Sequence, residues 1–98
     1  MTLQPRRPIA VHPGEILQEI LDENQITQSE VALRLHMAQS KISDICRGRR
    51  GVTPDMAMRL GKLFGQSPLF WLNLQENWEL SQLDESVYGS IEPFQMSA

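Results

Sequence analysis

Ninety-eight residues, 41% of them hydrophobic, suffice for one domain with a modest core. A formal net charge of −3 argues against a non-specific nucleic-acid coat, which would be basic throughout. A single cysteine excludes an intramolecular disulfide and any multi-cysteine zinc site, and no apolar run approaches the roughly 20 residues of a membrane span. No charged-then-apolar leader is present either, so the expected location is the cytoplasm. The charge is uneven. Residues 1–51 carry seven Lys/Arg against six Asp/Glu, a net of +1, while residues 52–98 carry two against six, a net of −4. The simplest account is a local cationic surface in the first half and an acidic second half.

Residues 1–11, MTLQPRRPIAV, hold two prolines and no helical period, which predicts an extended arm from which Arg6 and Arg7 could reach a phosphate or a partner. His12-Pro13-Gly14-Glu15 opens a first helix. Proline is tolerated in a first turn because its missing N–H has no intrahelical partner, and Glu15 suits the positive end of the helix dipole. Ile16, Leu17, Ile20 and Leu21 form its buried stripe, leaving Gln18, Glu19, Asp22 and Glu23 as an acidic outer face, expected to lie away from the recognition helix named below.

Thr27 and Glu30 have the spacing of a capping box, so a second helix starts there and buries Val31, Ala32 and Leu35. His36-Met37-Ala38 breaks the period. Gln39 opens a third helix that buries Ile42, Ile45 and Cys46 and stops at Gly48, a residue type favoured just past a helix end. Two short amphipathic helices on a three-residue connection read as a helix-turn-helix. Periodicity alone favours an ordinary helical hairpin; side-chain chemistry shifts the reading to the helix-turn-helix. Gln39, Ser40, Lys41 and Ser43 lie on the outer face of the third helix and can hydrogen-bond base edges. Thr27 and Gln28, at the start of the second helix, and Arg47, Arg49 and Arg50, just beyond the third, suit flanking phosphates. Residues 36–51 hold four cations against one anion in a chain that is acidic overall.

Thr53-Pro54 and Ser67-Pro68 are two further cap-and-proline helix starts. The fourth helix buries Met56, Ala57, Leu60, Leu63 and Phe64 and ends at Gly65. The fifth places Leu69, Phe70, Trp71, Leu72 and Leu74 within six positions, with Trp78 beyond and Leu80 and Leu83 at its end. A helix apolar all round is buried all round. A domain this small has no centre to hide one, so a second subunit is expected against Phe70, Trp71, Leu74 and Trp78. Gly89 and Pro93 stop any continuing helix, and residues 84–98 form a tail with apolar side chains whose structure is left open.

No catalytic constellation stands out. His12 and His36 lie at helix or turn boundaries without HExxH or matched carboxylates, and Cys46 belongs to a core face. No cofactor and no metal site are expected. The fold class is all-α: five helices over residues 12–83.

TQSEVALRLHMAQSKISDICRGRRGVT, residues 27–53, is similar to the helix-turn-helix of the lambda-repressor and Cro-like superfamily. HPGEIL at 12–17, the RG-R-G-VT-DMA-RL pattern at 47–60 and SP-FWLNLQ at 67–75 resemble HigA-type antitoxins, also called virulence-associated protein I, with no gap over residues 12–83. Such proteins commonly cap the recognition helix with serine, where this chain has Ala38, so a weaker start to that helix is expected. The resemblance implies an antitoxin homodimer that represses its own operon at a palindromic operator. It also implies a partner toxin, a small basic mRNA-cleaving RNase of the RelE-like class. The acidic face Gln18, Glu19, Asp22 and Glu23 is the candidate toxin surface, since it complements a cationic partner. A plain Cro-like repressor without a toxin, and an interaction adaptor without DNA binding, are the competing readings; Lys41, Arg47, Arg49 and Arg50 speak against the adaptor.

Overall fold

The computed structural model describes residues 10–97, so Arg6 and Arg7 of the expected arm lie outside the described residues. Five α-helices follow in order: α1 (Pro13–Asn24), α2 (Gln28–Leu35), α3 (Gln39–Cys46), α4 (Pro54–Phe64) and α5 (Pro68–Ser81). A 3-10 turn, Glu85–Tyr88, begins the tail, and residues 89–97 have no regular structure and are exposed. α5 therefore ends before Leu83. Among the described residues there is no strand, and no helix is long and apolar enough to cross a membrane.

Local chemistry sets the helix boundaries. The Thr27 hydroxyl accepts the Glu30 N–H while the Glu30 carboxylate accepts the Thr27 N–H, the reciprocal pair expected of a capping box. Those bonds hold the Glu30 carboxyl below its ordinary range. Thr53 and Ser67 cap α4 and α5 in turn. α3 starts on Ala38 with no side-chain cap, as the missing serine implied. α2 ends on left-handed His36 (φ 57°), and its last carbonyl, Leu35, accepts a hydrogen bond of 3.0 Å from the Arg59 guanidinium on α4. α1 carries a cap that helix-start rules did not reveal. His12 Nδ1 accepts the Gly14 N–H at 2.9 Å and Glu15 reaches back to the His12 N–H, a second capping box.

α2 packs on α3, α3 on α1, and α4 on α5, with α5 also touching α1 and α2 touching α4. The shared core is Leu17, Leu21, Val31, Ala32, Leu35, Ile42, Ile45, Val52, Met56, Ala57, Leu60 and Trp71. Ile16, Ile20, Cys46, Leu63 and Phe64 pack at its edge rather than its centre. The approach of α1 to α3 is close enough that a Cβ on Gly14 would collide with the Ile45 carbonyl, which fixes glycine there.

Trp71 corrects the expected subunit interface. It is 0% exposed, and its indole N–H donates 2.6 Å to Gln66 Oε1, so it is a core side chain that no partner can touch. One turn on, Gln75 is also buried, and Trp78 is half-buried with its ring 4.8 Å from His12 in an edge-on contact. Trp71, Gln75 and Trp78 share one helical face, and that face points inward. Leu74 packs at the core edge. The outer stripe instead presents Leu69 (61% exposed), Phe70 (42%) and Leu80. Of the four residues expected at the interface, Phe70 alone is exposed, with one edge of its ring against Trp71 at 5.2 Å.

Candidate nucleic-acid interface

α3 divides as its chemistry suggests. Ile42 and Ile45 are completely buried and anchor the helix, while Gln39, Ser40 and Lys41 are exposed in its first turn. Ser43 is half-buried on the same side. The chain then folds back on the helix it has just left. Arg47 N–H donates to Ser43 O (3.0 Å), Gly48 N–H to Ile45 O (3.0 Å), and both Arg49 N–H (2.8 Å) and Arg50 N–H (3.2 Å) to Asp44 O. Gly48 makes that reversal in the left-handed region (φ 76°), where a side chain is strained. Arg47, Arg49 and Arg50 are all exposed on this short connection. Three guanidinium groups and the Lys41 ammonium thus border a row of hydrogen-bonding side chains. The chemistry of such an arrangement suits base edges at its centre and phosphates at its rim.

Two of the expected phosphate contacts are otherwise engaged. The Thr27 hydroxyl donates to Glu30 Oε1 at 3.0 Å, so its proton serves the α2 cap. The Gln28 amide donates 3.0 Å to Gln18 Oε1 on α1, and Gln18 in turn donates 2.9 Å to Asp22. Of the first-turn N–H groups of α2, that of Glu30 is taken by the Thr27 hydroxyl, which leaves those of Gln28 and Ser29 without an intrahelical acceptor.

The same bonds correct the placement of the acidic face. Glu19, Asp22 and Glu23 are exposed, but Gln18 is half-buried, and the face is not remote from the helix-turn-helix. Gln18 joins α1 directly to α2, and α1 packs on α3. Asp22 sits near enough to Cys46 to help keep its thiol protonated. Burial is the larger cause of that upward shift, and a hydrogen bond from Gln28 opposes it. A thiol held in that form is a packing group and a poor nucleophile at neutral pH.

Sequence reasoning missed two buried polar side chains behind the connection that follows α3, His12 and Gln75. Gln75 Oε1 accepts the Val52 N–H at 2.7 Å across 23 positions of sequence. The signal was present: a glutamine four residues after Trp71, on a helix otherwise read as apolar.

A family profile described as helix-turn-helix matches residues 17–72, more than half the chain. Virulence-associated protein I of Dichelobacter nodosus is 39% identical over 77 residues, 78% of this chain and 71% of that protein. The chain belongs to the HigA-like helix-turn-helix family. Within that family, the structure of PA4674 from Pseudomonas aeruginosa in complex with its 18-base-pair operator DNA superposes with a TM-score of 0.79 at 39% identity. The match covers 90% of this chain and 98% of that one. The Pseudomonas aeruginosa antitoxin HigA bound to the higBA promoter gives 0.77 at 39% identity, covering 86% and 97%. HigA-like relatives are DNA-binding regulators, and the five-helix fold described above is theirs.

Proposed function

We propose that this protein is the antitoxin of a two-component toxin–antitoxin module and represses its own operon. The carrying observation is the exposed Gln39-Ser40-Lys41 turn flanked by Arg47, Arg49 and Arg50, on a fold shared with relatives whose structures are solved with operator and promoter DNA. Gln39, Ser40, Lys41 and Ser43 read bases in one major groove. The three arginines and the first turn of α2 hold the phosphates on either side. Two copies bind a palindrome, with their α3 helices about 34–36 Å apart. The exposed Leu69, Phe70 and Leu80 on α5 supply apolar surface for joining the copies. Such a repressor acts where the operator is, in the cytoplasm, and uses neither catalysis nor a cofactor.

The toxin is a small RNase of the RelE-like class. A protein that grips RNA needs a cationic surface, and Glu19, Asp22 and Glu23 on α1 offer an exposed complement to it. The experiment is co-expression with the neighbouring reading frame, followed by stopped-flow association. A basic partner should co-purify, and reversing Glu19 and Asp22 to lysine should slow its association about tenfold or more at low salt. Operator binding by the free protein should stay within a few-fold of wild type. A lone gene with no co-purifying partner would instead support a plain Cro-like repressor.

A further inference from the structure

The three arginines expected to grip phosphates sit on a connection, residues 47–52, that has no regular structure of its own. A cationic loop that must be ordered at the moment of binding loses affinity to that ordering. The α3 carbonyls of Ser43, Asp44 and Ile45 hold the backbone of residues 47–50, and a second anchor holds the end of the connection that α3 does not reach.

α5 holds the loop from behind at its far end. There, Gln75 Oε1 accepts the Val52 N–H at 2.7 Å, and both residues are buried. The amide cannot swing away, because its nitrogen donates 2.8 Å to Glu79 Oε2 one turn further along α5. Gly51 lies flat on the same amide. A Cβ there would stand 2.8 Å from Gln75 Nε2 and 3.0 Å from its carbonyl carbon, so a larger residue at 51 would push the Gln75 amide out of its place. Near the other end stands the ring of His12, the residue that caps α1. It contacts Trp78 edge-on at 4.8 Å, and a Cβ on Gly48 would be 3.9 Å from it. An apolar side chain at position 75 could fill the same space, but only a directed acceptor sets the height and orientation of the loop.

We propose that Gln75 is a positioning residue of the operator grip: through the Val52 N–H it fixes the loop bearing Arg47, Arg49 and Arg50 on α5. The proposal rests on the operator-binding reading above. It adds that the helix carrying the exposed apolar stripe also sets the phosphate contacts, so the seat of α5 and the affinity for DNA are one variable.

The test uses the full chain with Gln75→Leu, which keeps most of the volume and removes the acceptor, and with Glu79→Ala, an exposed site that merely frees the amide to rotate. Two quantities are measured on protein verified as folded. One is the slope of log affinity against log salt for the operator. The other is amide exchange at Val52 in the absence of DNA. Gln75→Leu should bind roughly tenfold more weakly at moderate salt, with a slope shallower by about 1–2 for the phosphate contacts released. Its order of preference among operator variants should not change, since the first turn of α3 is untouched. Val52 should exchange faster while Leu60 stays protected. Glu79→Ala should shift slope and exchange in the same directions by less, and it decides the matter if Gln75→Leu does not fold.

Loss of folded protein alone would scale affinity without altering the slope. An unchanged slope, or an unchanged Val52 exchange rate, therefore overturns the inference. Wild-type protein that binds no operator at any salt overturns the function proposed above together with this one. Normal wild-type binding beside an unchanged variant overturns this one alone.

Discussion

α3 and α5 are built on opposite plans. α3 is eight residues long, with Ile42 and Ile45 inside and hydrogen-bonding or charged side chains outside. α5 is fourteen residues long and carries its chemistry inward: Trp71 bonds Gln66, Gln75 bonds Val52, and Trp78 touches His12. Its outer stripe offers Leu69, Phe70 and Leu80 instead. On a short helix with one polar and one apolar face, periodicity identifies both the anchor and the reading surface. On a helix with apolar residues in every direction, periodicity carries no phase. The inward face is then chosen by shape and by polar partners that only the folded chain brings together.

Substitutions at adjacent positions of α5 break this contrast most sharply. Trp71→Ala should destabilise the protein by about 3–5 kcal/mol, the range for truncating a fully buried large aromatic side chain. In a domain of ordinary stability that is a large fraction of the total, and denaturant titration will show it as a collapse of the midpoint. Phe70→Glu, one position earlier and exposed, should cost the monomer only about 1–2 kcal/mol, chiefly the lost edge-on contact with Trp71. Its effect should appear in the dilution series of a light-scattering experiment as a weakened dimer. If Trp71→Ala left a folded monomer and Phe70→Glu unfolded the chain, the assignment of faces on α5 would be inverted.

A smaller effect sharpens the comparison from the His12 side. Burial pushes the imidazole below its ordinary pKa near 6.5, against an opposing pull from Glu15. The neutral ring is also the form that accepts the Gly14 N–H. Because the folded value is the lower one, the unfolded chain binds the proton more readily. The stabilisation is complete above about pH 6.5 and is lost as pH falls through the folded value. Stability should therefore decline on mild acidification, ahead of the carboxylate titrations. His12→Ser keeps a capping oxygen and should flatten that part of the stability-versus-pH curve; a curve unchanged by the substitution would remove His12 as the cause.

Much of the fold is legible in the sequence itself. The cap-and-proline pairs Thr53-Pro54 and Ser67-Pro68, the capping box at Thr27 and the break at His36-Met37-Ala38 locate four helices, because each rests on chemistry within a few residues. The exposed Gln39-Ser40-Lys41 turn is legible for the same reason. The hydrogen bonds of Gln75 to Val52 and of Gln28 to Gln18 are not, since they join residues 23 and 10 positions apart. The Gln18 bond also explains why the acidic surface of α1 runs up to the helix-turn-helix. An outer face marked on one helix says nothing about its neighbour.

In the proposed division of labour, the first turn of α3 reads bases while the loop behind it holds phosphates. The most direct test is the binding profile of Gln39→Ala and Arg49→Ala across every single-base variant of the operator. Gln39→Ala should lose roughly 1–3 kcal/mol of discrimination at one base pair per half-site and leave the other positions alone. Arg49→Ala should weaken all sequences alike and make the salt dependence shallower by about one unit of slope. A Gln39→Ala profile superimposable on that of the wild-type protein would contradict the claim.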